Sequence, residues 1–157
     1  MADALKRSEP SLYERDFYAW TQDQAEKLRA RAAFDNRGDI DWENVAEEIA
    51  SLGSTERNEI ESRLGVLIVH LLKWRYQSYR RSNSWRASIV EQRMRIAKRL
   101  RQSPSLKNYP AEAFLEEYPL SRLAASGETD LPEETFPAEC PFTIEEILDP
   151  TFYPEAS

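Results

Sequence analysis

One histidine, His70, and one cysteine, Cys140, bound the chemistry open to this chain. A single residue of each type cannot assemble a zinc site from histidine and cysteine ligands alone. A carboxylate-bridged di-iron bundle needs paired Glu-x-x-His motifs, and the residue three before His70 is Leu67. Glu43, Glu47 and Glu48 could join Glu59 around a hard cation, but helical acids at this density usually form a solvated face. No metal and no cofactor is therefore expected. The four glycines form no phosphate-cradling loop, and Gly65 reads instead as a point of close helix packing. Cys140 stands between Glu139 and Pro141, with no neighbouring cation to lower its pKa, so a nucleophilic role is not expected.

The remaining catalytic candidates are Arg63 and His70. Seven residues apart, they fall on one side of a helix with Ile60, Leu67 and Trp74. This Arg-x6-His pair is loosely similar to the Arg-x4–6-His motif of HEPN-type ribonucleases. That resemblance implies metal-independent RNA cleavage, with histidine moving protons and arginine stabilising developing charge. The residue after the family's arginine is usually polar, and here it is Leu64. The alternative is a core histidine bonded to a carboxylate of a neighbouring helix and fixing helix register.

Around His70 the sequence turns basic. The net charge is −7, but residues 1–72 carry 9 basic and 15 acidic side chains, and residues 102–157 carry 2 and 12. Residues 73–101 hold 10 basic residues and the single acid Glu91. The overall acidity argues against a generally cationic nucleic-acid binder. The basic middle is expected to pack beside its acidic flanks and be neutralised by them. The competing expectation is an exposed contact surface for a protein partner or for nucleic acid, with Arg75, Arg80, Arg81, Arg86 and Arg93 as its candidates. Trp20, Trp42, Trp74 and Trp85 fall on the apolar stripes of their helices and read as core, although Trp74-Arg75-Tyr76 and Trp85-Arg86 could instead stack on unpaired bases.

The elements that position these residues are helical. Tyr13, Phe17, Trp20 and Leu28 share one face of a first helix over residues 11–34, and Asn36-Arg37-Gly38-Asp39 is a turn. Asp41 can cap a second helix with Trp42, Val45, Ile49 and Leu52 on its apolar face; Gly53 and Ser54 read as a corner ending it. Residues 55–77 form the most hydrophobic helix and the expected centre of the fold. A fourth helix carries Trp85, Ile89, Ile96 and Leu100 and stops at Ser103-Pro104. A fifth, over residues 111–123, is kinked or split at Pro119.

From residue 127 onward, five prolines alternate with Phe136, Phe142, Phe152 and Tyr153, which predicts an ordered strap laid on the bundle. Thr143-x-x-Glu146 is a capping box for one short helix within it. The expectation is a single all-α domain, a compact bundle of about five helices over residues 11–126 with a strap over 127–154. No apolar run is long enough to span a bilayer, residues 1–10 lack an apolar signal core, and the lone cysteine makes no internal disulfide; a cytoplasmic protein is expected.

Several stretches together resemble one bacterial family: Asp16-Phe-Tyr-Ala-Trp20, Asp41-Trp-Glu-Asn with Glu47-Glu48-Ile49, and Leu71-Leu-Lys-Trp74. Ser84-Trp-Arg86, Glu91-Gln-Arg93 and Thr135-Phe-Pro-Ala-Glu-Cys-Pro-Phe142 follow in order. The sequence is similar to the family catalogued as domain of unknown function twenty-nine, common in cyanobacteria and proteobacteria, over residues 13–154. The resemblance implies one all-helical domain and carries no activity, cofactor or catalytic residue with it. The leading functional expectation is a non-enzymatic binding or adaptor module. Nucleic-acid binding through residues 73–101 and ribonuclease action by Arg63 and His70 are the alternatives.

Overall fold

The computed structural model describes residues 8–157, so most of the stretch read for a signal core lies outside the described residues. The chain is all-α, with no strand among the described residues. Its helices are α1 (Leu12–Arg15), α2 (Phe17–Phe34), α3 (Trp42–Tyr76), α4 (Asn83–Gln102), α5 (Tyr109–Thr129) and α6 (Ile144–Leu148).

α3 is the spine. Its 35 residues span about 52 Å at 1.5 Å per residue, and α2, α4, α5 and α6 all pack against it. The corner expected at Gly53 does not exist. Ser54 and Thr55 do not cap a new helix; their hydroxyls bond back to the carbonyls of Ala50 and Ser51 within the same one. Gly53 is buried because α2 passes directly over it. A β-carbon there would lie 2.6 Å from Thr21 Oγ1. The missing side chain serves a helix crossing, not a turn.

The first helix is in turn divided at Asp16. Its backbone is extended, and its carboxylate accepts from Ala19 N at 2.9 Å to cap α2. The same carboxylate accepts from Ser105 N (2.7 Å) and Ser105 Oγ (2.8 Å), while Tyr18 N donates to Ser103 Oγ. The start of α2 is thereby tied to the turn that follows α4.

The two halves of α3 differ. Its first half meets α2 through small residues, with Thr21, Ala25, Ala46 and Gly53 buried, and leaves Val45 and Leu52 exposed. Its second half carries the main core. Ile60, Leu64, Leu67, Ile68, Leu71 and Leu72 are fully buried, most of them in one cluster with Ile89 and Ile96 of α4 and Ala113 and Tyr118 of α5. This agrees with the expected central role of that stretch.

α4 runs back along α3, since Arg63 meets Gln92 and Glu56 meets Arg99. It starts at the Ser82 cap and ends before Ser103-Pro104, as expected. α5 passes through Pro119 unbroken and continues to Thr129. The carbonyl that Pro119 cannot pair belongs to Leu115, an exposed residue. Asp130, at φ 58°, takes the left-handed conformation that ends the helix.

In the C-terminal segment, Phe136, Phe142, Ile147 and Pro154 are buried. Tyr118 Oη donates to the Pro137 carbonyl, and Arg122 Nε donates to the Phe136 carbonyl at 2.9 Å. The capping box forms as read: Glu146 N donates to Thr143 Oγ1, and Thr143 N donates to the Glu146 carboxylate.

Candidate binding surface along helix α4

The basic middle segment divides into cations turned inward and cations left on the surface. Arg93 is the clearest inward case, at 5% exposure. Its Nε donates to the Ile147 carbonyl at 2.8 Å; Nη2 donates to the carbonyls of Phe152 (2.8 Å) and Glu146 (3.4 Å). The guanidinium also lies 5.5 Å from the Tyr153 ring centre. Burial lowers its pKa from the ordinary arginine value, and Nη1 has no partner. Arg93 is therefore not available to a partner; it clamps α6 and the residues after it onto α4.

Two more of the five surface candidates serve the chain itself. Arg81 donates to the carbonyls of Trp74 (2.8 Å) and Pro154 (3.2 Å), with its guanidinium over Trp74 at 5.0 Å. Arg75 is half-buried against Tyr76, and its carbonyl accepts from Ser157 N at 3.0 Å. Arg80 and Arg86 are exposed and make no ion pair among the described residues.

Neutralisation by the acidic flanks holds for part of the segment. Lys73 pairs with Glu128 at 3.2 Å and Arg99 with Glu56 at 2.9 Å, whereas Arg95 pairs with Glu91 inside the segment at 2.8 Å. For Arg81 and Arg93 the partners are backbone carbonyls, not carboxylates. Composition does not reveal such acceptors, because a carbonyl carries no signature in a charge count.

The remaining face of α4 combines apolar and cationic groups. Val90, Met94 and Ala97 form the floor of a groove of about 220 Å³, with Leu148 and Pro150 as one wall and Arg101 at its edge. A shallower extension adds Arg86, Ala87, Glu91, Arg95 and Lys98. Met94, which lines both, is 67% exposed. Beside the groove, Arg63, Arg95, Lys98, Arg99 and Gln102 line a separate polar notch of about 180 Å³. Sequence reading missed Met94, Lys98 and Arg101. The signal was present: Val90, Met94, Ala97 and Arg101 recur at i, i+4, i+7 and i+11, and Arg95, Lys98, Arg99 and Gln102 at i, i+3, i+4 and i+7, so helix geometry gathers each set on one face.

Arg63 and His70 turn into different crevices. Arg63 Nε pairs with Glu59 at 3.1 Å and Nη1 donates to Gln92 Oε1, facing the notch. His70 is half-buried, and its Nδ1–H donates to the Val66 carbonyl at 2.8 Å. It lies in a crevice between α3 and α5 with Glu117, Leu120, Ser121 and Glu128. Neither the shared cleft a nuclease needs nor the carboxylate-bonded core histidine is present.

The other candidates are structural in their contacts. All four tryptophans are half-buried; Trp42 lies under Arg31, Trp85 under Lys73, and Trp74 beside Tyr153. Glu47 pairs with Arg29 and Glu59 with Arg63. Among the described residues, no three histidine, cysteine, aspartate or glutamate side chains converge closely enough to hold a metal ion. Burial pushes the Cys140 thiol up to about 11. Nor is any described helix long and apolar enough to cross a membrane.

Comparison with known proteins places this architecture. No curated protein matches the chain. The crystal structure of an α-helical protein of unknown function from Rhodospirillum rubrum superposes with a TM-score of 0.68, over 92% of this chain and 93% of that one. The two sequences are 24% identical, so the likeness is one of fold. The family model described as domain of unknown function DUF29 matches residues 12–153, and the chain belongs to that family.

Proposed function

We propose that this chain is a non-enzymatic, cytoplasmic binding module that takes a protein partner on the outer face of α4. The observation that carries the reading is Met94, exposed in an apolar groove whose surroundings include Arg86, Lys98 and Arg101, cations that make no ion pair among the described residues. An apolar side chain from the partner would fill the groove, and acidic groups at its margin would meet the cations. Arg93 supports the function indirectly, because it holds the segment that supplies the Leu148 and Pro150 wall.

The test is co-purification from the native bacterium with the wild-type chain, Met94→Asp and Arg80→Ala as baits. A partner retained by wild type and by Arg80→Ala, but lost by Met94→Asp, is the expected result. Identical partner sets for Met94→Asp and wild type would refute the assignment.

Nucleic-acid binding is the second reading, favoured by the exposure of Arg80, Arg86, Lys98 and Arg101. It requires retention of RNA or DNA at about 0.15 M salt and loss as salt rises. The ribonuclease alternative is not adopted, since Arg63 and His70 face separate crevices.

A further inference from the structure

We propose that the notch between α3 and α4 is a binding site for a phosphate group on a small molecule, either inorganic phosphate or a phosphate monoester. Its lining is Arg63 from α3 with Arg95, Lys98, Arg99 and Gln102 from α4, with no carboxylate among the described residues that line it.

Each of the three arginines has one carboxylate partner. Arg63 Nε is engaged by Glu59, Arg95 Nε by Glu91 and Arg99 Nη1 by Glu56. Each guanidinium carries five N–H donors in a rigid fork, so Arg95 and Arg99 keep donors for a ligand beside their carboxylate partner, and Arg63, which also gives Nη1 to Gln92, keeps Nη2. Lys98 makes no ion pair among the described residues and adds an uncommitted ammonium. Gln102 supplies an amide donor. A ligand here meets donors from several directions around one small volume.

The chemistry of the donor set selects the ligand. A carboxylate presents two oxygens, fewer than the four cationic groups and one amide can serve. A phosphate monoester dianion presents three terminal oxygens, and each can accept from an arginine fork or the ammonium. The volume of about 180 Å³ holds such a group with a few waters, given about 30 Å³ per water.

A small molecule is favoured over a polynucleotide for an electrostatic reason. Glu56, Glu59 and Glu91 pair with three of its arginines and the whole chain carries −7, so attraction decays quickly outside it. A long polyanion would gain one good contact and little along its length.

The experiment is isothermal titration of the full chain at low ionic strength with inorganic phosphate, with methyl phosphate, and with a short single-stranded oligonucleotide lacking a terminal phosphate. One equivalent of phosphate or methyl phosphate is expected to bind, with the oligonucleotide weaker than both. Binding of both phosphates identifies a monoester site; binding of inorganic phosphate alone identifies the free ion as ligand. Lys98→Gln and Arg95→Gln, both at exposed positions, should each weaken binding about tenfold, the scale of one lost charge-assisted bond. Circular dichroism identical to wild type would show that these variants fold. Met94→Ala, which adds no charge beside Arg95 and Lys98, should leave phosphate binding unchanged, which separates this site from the docking groove. No binding up to about 10 mM phosphate, affinity indifferent to both variants, or preference for the oligonucleotide would overturn the proposal.

Discussion

Replacing Arg93 by methionine tests whether a buried cation holds the C-terminal segment on α4. The side chain makes two hydrogen bonds at 2.8 Å, to the carbonyls of Ile147 and Phe152, and a longer one of 3.4 Å to that of Glu146. Bonds from a charged donor contribute about 1.5–3 kcal/mol each, so the two short ones amount to about 3–6 kcal/mol before costs. Part of this is offset by burying the guanidinium, whose lowered pKa and unpartnered Nη1 both report incomplete compensation. Methionine removes that cost but leaves two carbonyls without their donor. The expected net loss is about 2–3 kcal/mol, a large share of the roughly 5–15 kcal/mol available to a domain. Urea denaturation measures the total. Hydrogen exchange localises it: amides of α6 and of the turn at Asp149 should lose protection well before those of α3. Arg93→Lys should recover only part, because one ammonium on a flexible stem cannot span carbonyls from three residues. A midpoint within about 0.5 kcal/mol of wild type, or unchanged protection in α6, would refute the clamp.

Two further predictions concern α3 and α5. Gly53→Ala should destabilise by about 1–2 kcal/mol, since the clash with buried Thr21 outweighs a helix-propensity gain of at most about 1 kcal/mol. Thermal melts check it, and the double variant with Thr21→Ala should recover most of the loss. Glu117→Gln should stabilise the fold at pH 7. Burial, then Glu61, then Glu116, raise the Glu117 carboxyl above its usual range, so the unfolded chain releases this proton more readily than the folded one. Stability from this group is present below the unfolded carboxyl pKa and is lost as pH rises through the folded value. The side chain is only partly buried, so the gain is a few tenths of a kcal/mol at pH 7 and absent at about pH 3. Equal gains at both pH values would contradict it.

Much of the local structure was legible in the sequence. The Thr143–Glu146 capping box, the Asp41 cap and the stop at Ser103-Pro104 form where they were read. These features depend on neighbours within a few residues, which the sequence displays directly. The corner expected at Gly53 and the unbroken helix expected over residues 11–34 fail for one reason. A glycine followed by Ser-Thr resembles a helix end, and an aspartate inside a periodic pattern resembles a surface residue. Thr21, 32 residues before Gly53 in the chain, and Ser105, 89 residues after Asp16, decide otherwise. The apolar face read over Val45 and Leu52 is likewise real as a pattern, yet no described helix covers these two residues, because α2 crosses α3 on its small residues.

By itself, the sequence determined an all-α domain, its family, and a supply of one histidine and one cysteine, too few for a zinc site built from those ligands. Tertiary structure alone decided the use of each arginine in the basic segment. Arg93 and Arg86, seven residues apart on α4, have identical charge and similar local surroundings. One is buried against three carbonyls of the C-terminal segment, and the other faces solvent beside Ala87. The physical reason is that a charge's role depends on its acceptor and on its access to water. For this chain the acceptors are backbone oxygens more than 50 residues away, in positions that only the folded packing brings within 3 Å.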